Sequence, residues 1–83
     1  VRIAGEVEIT GRIQALTLPA VGFHPTFKVR LASDELTVDL VFVGHRSLPG
    51  FRVGRHMTAR GKIVAGDHPV IYNPIYWLKA DAS

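Results

Sequence analysis

The strongest constraint on this chain is a period of two. In Thr26-Phe27-Lys28-Val29-Arg30-Leu31, polar and apolar residues alternate without exception. Such a pattern puts Phe27, Val29 and Leu31 on one side of a β-strand and Lys28 and Arg30 on the other. The same alternation recurs along the sequence, and the 3.6-residue period of an amphipathic helix is almost absent. The chain is therefore expected to be all-β.

Five strands are expected. The first covers residues 6–14, with Val7, Ile9 and Ile13 inward and Glu6, Glu8, Thr10, Arg12 and Gln14 outward. Gly11 interrupts the inward row, as a bend or bulge would. Residues 17–25 read as a loop broken by Pro19, Gly22 and Pro25. The second strand spans residues 26–31. The polar turn Ser33-Asp34-Glu35 joins it to a third, residues 36–43, as an antiparallel hairpin. Val38, Leu40 and Phe42 continue the inward row. Val41 and Val43 are apolar as well, so the end of this strand is expected to be covered on both faces.

Gly44, Pro49, Gly50 and Gly54 break residues 44–54 too often for more than one helical turn. Residues 55–65 form the fourth strand, with Met57, Ala59 and Ile63 inward and Thr58, Arg60 and Lys62 outward. Gly66-Asp67 reads as a hairpin turn. The fifth strand, residues 70–78, is kinked by Asn73-Pro74, which suggests a sheet edge or a bulge. Gly11-Arg12-Ile13 is echoed by Gly61-Lys62-Ile63. Both strands thus bend at a glycine, as the strands of a small closed barrel must.

Composition narrows the function classes. Eighty-three residues make one domain with a thin core. No apolar run approaches the ~20 residues needed to cross a bilayer, so no membrane partner is expected. Residues 1–6 do not read as a secretory leader. The chain has no cysteine, which excludes disulfides, zinc ribbons and thiol catalysis and fits a reducing, cytoplasmic setting. The formal net charge is +3, compatible with a polyanionic partner. Between Asp39 and Asp67 lie Arg46, Arg52, Arg55, Arg60 and Lys62, two histidines and no carboxylate.

Five strands, glycine bends in the first and fourth, and a long link between the third and fourth look like an OB-fold barrel with Greek-key topology and little or no helix in that link. The resemblance extends to particular residues: Val41-Phe42-Val43-Gly44-His45-Arg46-Ser47-Leu48-Pro49-Gly50, then Val53-Gly54-Arg55, Gly61-Lys62-Ile63 and Val70-Ile71-Tyr72-Asn73-Pro74-Ile75-Tyr76. Over nearly its whole length the chain resembles small OB-fold nucleic-acid-binding proteins of high-GC Gram-positive bacteria. More distantly, it is similar to the wedge domain of the helicase that reverses stalled replication forks. Two positions depart from the pattern: relatives tend to carry several arginines where His45, Arg46 and Ser47 stand, and a polar residue where Trp77 stands. The resemblance implies a non-enzymatic module for single-stranded or junction DNA, or RNA, gripped in a cleft over the second and third strands.

Within such a cleft, Lys28 and Arg30 would meet backbone phosphates, with Asp39 close enough to pair with one of them. Arg46 and His45 follow the third strand and would rim the cleft. Arg60 and Lys62 belong to a strand on the far side. Candidate stacking aromatics are Phe23, in the first loop, and Tyr72. Phe27 and Phe42 read as core, and Phe51 as a plug at the barrel end. If Tyr76 and Leu78 face inward, Trp77 faces outward, where it either marks a contact surface for a partner chain or a base or lies under the C-terminal tail.

His24-Pro25 and His68-Pro69 lie in the two loops that would flank the cleft, where histidine protonation near pH 6.5 adds positive charge. Polyanion binding is then expected to tighten from about pH 8 to about pH 6; equal affinity at both, with both histidines shown to titrate in that range, would exclude this. No third ligand accompanies these histidines at metal-site spacing. No nucleophile elbow or phosphate loop is present, so neither enzymatic activity nor a cofactor is expected. The alternative reading is a protein-interaction or assembly module, self-associating or bound to a protein partner through Trp77 and strand edges, with no nucleic-acid contact.

Overall fold

Alternating side chains can bury one face of every strand only if the sheet curls onto itself, and the chain does this. The computed structural model describes residues 6–18 and 25–80. They form β1 (Glu6–Thr17), β2 (Thr26–Ala32), β3 (Thr37–Val43), β4 (His56–Val64), β5 (Val70–Tyr72) and β6 (Ile75–Leu78), with no helix among the described residues. The order is β1-β2-β3-β5-β4-β6, and β1 also pairs with β4. Five strands thus close a ring, roughly a small OB-like barrel, and β6 follows β5 in pairing with β4, with Tyr76 and Leu78 packed against the core.

β1 makes the closure possible. Residues 6–12 pair antiparallel with β4 and residues 12–17 pair antiparallel with β2. The strand changes neighbour at Arg12, and the register slips between Ile13 and Ala15, the bulge that lets a strand coil around a barrel. A Cβ on Gly11 would run into the carbonyl of Ala32. Glycine is therefore required where β1 crosses from one partner to the other. β1 runs to Thr17, three residues beyond the expected end, because its second half is held by β2.

The inward rows form the core: Ile9, Ile13, Phe27, Val29, Leu31, Val38, Leu40, Phe42, Met57, Ala59, Ile63 and Ile71. No polar or charged residue is buried among the described residues. Phe51 closes one end, with its ring 5.7 Å from Phe27, 5.7 Å from Phe42 and 4.9 Å from Tyr76. These edge-on contacts suit the aromatic quadrupoles and add to the area buried. The β2–β3 turn is held by Ser33, whose hydroxyl donates to Leu36 O at 2.9 Å and accepts from Leu36 N at 3.2 Å.

Three expectations need correction. The fifth strand is two strands, because Asn73 adopts φ 48° ahead of Pro74 and inserts a residue. Side-chain parity therefore flips: Ile71 faces in and Tyr72 out, then Pro74 and Tyr76 in and Trp77 out. Asn73 is held there by its own side chain, whose Oδ1 accepts from Val43 N at 2.9 Å. Second, the β4–β5 link runs through residues 65–69, longer than a two-residue hairpin turn. Third, Val41 is covered, at 7% exposure, but Val43 is 53% exposed. The outer covering ends one pleat earlier than the apolar run suggests.

Candidate functional site

Register places the outward residues of β1, β2, β3 and β5 in rows, since directly opposed residues share a face. One row is Thr17, Lys28, Val41 and Tyr72; the next is Ala15, Arg30, Asp39 and Val70. In these rows β1 contributes the small side chains Ala15 and Thr17. Two hollows lie on it. One, of about 230 Å³, is lined by Ala15, Thr17, Lys28, Arg30 and Asp39. The other, of about 530 Å³, is lined in part by Gln14, Arg30, Asp39, Asp67 and His68. Arg30 and Asp39 line both.

The two strand-two cations are not equivalent. Arg30 Nε donates to Asp39 Oδ1 at 3.0 Å. That hydrogen bond, with the carboxylate's charge behind it, raises the Arg30 pKa above its ordinary value. Arg30 is thus a locally neutralised cation, as the proximity of Asp39 foreshadowed. Lys28 is exposed and has no acidic partner among the described residues. Across the register from it, Val41 is covered, and Tyr72, 56% exposed, presents a ring. Cation and ring therefore stand on either side of Val41 on three hydrogen-bonded strands.

The remaining candidates fall at the two ends of this face. Gly44 N donates to Pro25 O at 2.9 Å, so the exposed His45 and Arg46 begin at the end where the first loop returns. Asp39 N donates to Pro69 O at 2.9 Å, so His68 lies at the other end. Five residues of strand, about 16 Å, separate the anchors of the two loops. Phe23 and His24 lie outside the described residues.

The cations of the acid-free stretch scatter. Arg60 is on the β1–β4 side and pairs with Glu6 at 3.3 Å. Lys62 is opposite Glu6 in the register. Arg55 is a brace: Nη1 donates to Gly50 O at 2.9 Å and Nε to Lys79 O at 3.1 Å. Its side chain fastens the β3–β4 link to the end of β6, and Arg52 is likewise engaged. Sequence reasoning did not single out Val41 or Thr17 for this face. The signal for Val41 was its apolar character at an outward position; for Thr17 there was none, since the strand was expected to end earlier. Among the described residues no three His, Asp or Glu side chains cluster as a metal site would require. No helix of the described residues is long and apolar enough to cross a membrane.

Comparison with models of known protein families and with curated proteins gives no match.

Proposed function

We propose that the chain is a non-enzymatic module that binds single-stranded or junction nucleic acid across the β1-β2-β3-β5 face. The observation that carries this reading is the row Thr17-Lys28-Val41-Tyr72. An exposed cation with no acidic partner among the described residues and an exposed ring are elements of sequence-tolerant strand binding. Arg46 and His45 at one end and His68 at the other extend the track. The resemblance to small OB-fold nucleic-acid-binding proteins points the same way, and the absence of cysteine suits a cytoplasmic setting.

The test is a titration of labelled oligo-dT, duplex and forked DNA at about 50 and 200 mM salt. The single strand or the fork is expected to bind more tightly than the duplex and to weaken steeply with salt. Lys28→Ala should lower the salt slope by about 0.7, the value of one phosphate contact on a single strand. Arg30→Ala should change it less, because Asp39 already engages that guanidinium. Salt-insensitive or undetectable binding, together with a concentration-dependent oligomer, would favour the protein-assembly reading instead.

A further inference from the structure

The opposite side of the barrel carries a second row system. Across β1, β4 and β6 the register aligns Thr10, Thr58 and Trp77, then Glu8, Arg60 and Ile75. Arg12 is opposite His56, and Lys79 N donates to His56 O at 3.0 Å. Trp77 is 49% exposed and Ile75 61%, adjacent outward positions on a strand whose outer edge pairs with nothing among the described residues. The threonines beside Trp77 are tied to each other, Oγ1 to Oγ1 at 2.8 Å, which leaves a low, flat surface next to the indole.

Charge on this side follows the register. The row next to Trp77 on one side is Arg12, His56 and Lys79, with no acid in it. On the other side Glu8 stands opposite Arg60, and Glu6 is opposite Lys62 and paired with Arg60. Asp34 shares a hollow with Arg12 and His56 at the hairpin end. Trp77 is thus flanked on one side by a cationic row. A polyanion with flat, stackable rings fits that pairing: indole stacks on bases of any sequence, and the adjacent cations meet phosphates.

We infer that the β1-β4-β6 face is a second binding site for single-stranded nucleic acid, with Trp77 as its stacking residue and Arg12 and Lys79 as its phosphate contacts. It lies on the far side of the ring from Lys28 and Tyr72 and shares no residue with that face. One barrel can then hold two strands, or two arms of a fork, at once.

Trp77 is the chain's only tryptophan, so its fluorescence reports this face alone. The experiment titrates oligo-dT into the wild type, Lys28→Ala/Tyr72→Ala and Arg12→Ala/Lys79→Ala, with circular dichroism to verify folding and anisotropy of a labelled oligonucleotide to follow total binding. Quenching should survive in the first variant and weaken roughly tenfold in apparent affinity in the second. If quenching disappears in the first variant while the second binds as tightly as wild type, the second site is overturned and the first stands. If the first variant binds like wild type and the second does not, the β2–β3 reading fails and this one holds. Fluorescence that changes with protein concentration alone marks a self-association surface and overturns the proposal. Absence of binding by any protein overturns both.

Discussion

At the scale of single residues, Asp39 and Arg55 show how one charge can be assigned opposite roles by its neighbours. Asp39 occupies Arg30 and stands within the face proposed to meet phosphates. Asp39→Asn should therefore tighten oligo-dT binding several-fold and steepen its salt dependence by about 0.7, with little change in thermal stability because the pair is exposed. Unchanged affinity would mean that Arg30 does not contribute. Arg55 behaves in reverse. Its bonds to two carbonyls from separate segments should make Arg55→Ala cost ~2 kcal/mol in urea denaturation while leaving the salt slope of binding intact. Arg55→Lys should not restore stability fully, since a lysine cannot reproduce the planar fork. The sequence offered no means of separating these arginines: an acid-free stretch shows charge, and a brace is visible only once Gly50 and Lys79 are brought together.

Among elements, the two glycine bends look alike in sequence and differ in packing. A Cβ at Gly11 meets backbone, the carbonyl of Ala32, whereas at Gly61 it would come 2.8 Å from the Cγ2 methyl of Ile71 and 3.6 Å from Pro74 Cα. A side-chain methyl can turn aside; a paired strand cannot. Gly11→Ala is expected to cost ~2–3 kcal/mol, at the upper end of overpacking, and Gly61→Ala about 1 kcal/mol. Equal shifts in denaturation midpoint would refute the distinction. Strand positions and inward rows were legible because the period of two is a local property, carried by residues such as Phe27, Val29 and Leu31. The flip at Asn73 was legible only in part. Asn-Pro announces a break, but the direction of the inserted residue depends on Val43, thirty positions away. That flip takes Tyr72 out of the core and sets it beside Val41 and Lys28.

For the whole molecule, the ring divides the proposed binding groups between two sides. The β2–β3 cleft could be anticipated because Lys28 and Arg30 sit on one clean strand. The β1-β4-β6 face could not, since it gathers Arg12, His56, Trp77 and Lys79 from three remote segments. What joins the two sides is β1, whose first half faces one and whose second half faces the other. Its seam has a consequence in time. Glu6 is opposite Lys62 and Arg12 opposite His56, so the ring cannot close until most of the chain has been ordered, and loops of roughly fifty residues must be brought together first. Folding should accordingly fall in the milliseconds-to-seconds range of barrels rich in non-local pairs, with a single exponential phase. Stopped-flow fluorescence of Trp77 would measure it. Because β6 pairs with no strand but β4 among the described residues, its backbone amides should exchange with solvent by local opening, faster than those of β2 and β3. The indole would then ride on a readily released strand, while Arg12 stays on the closed ring.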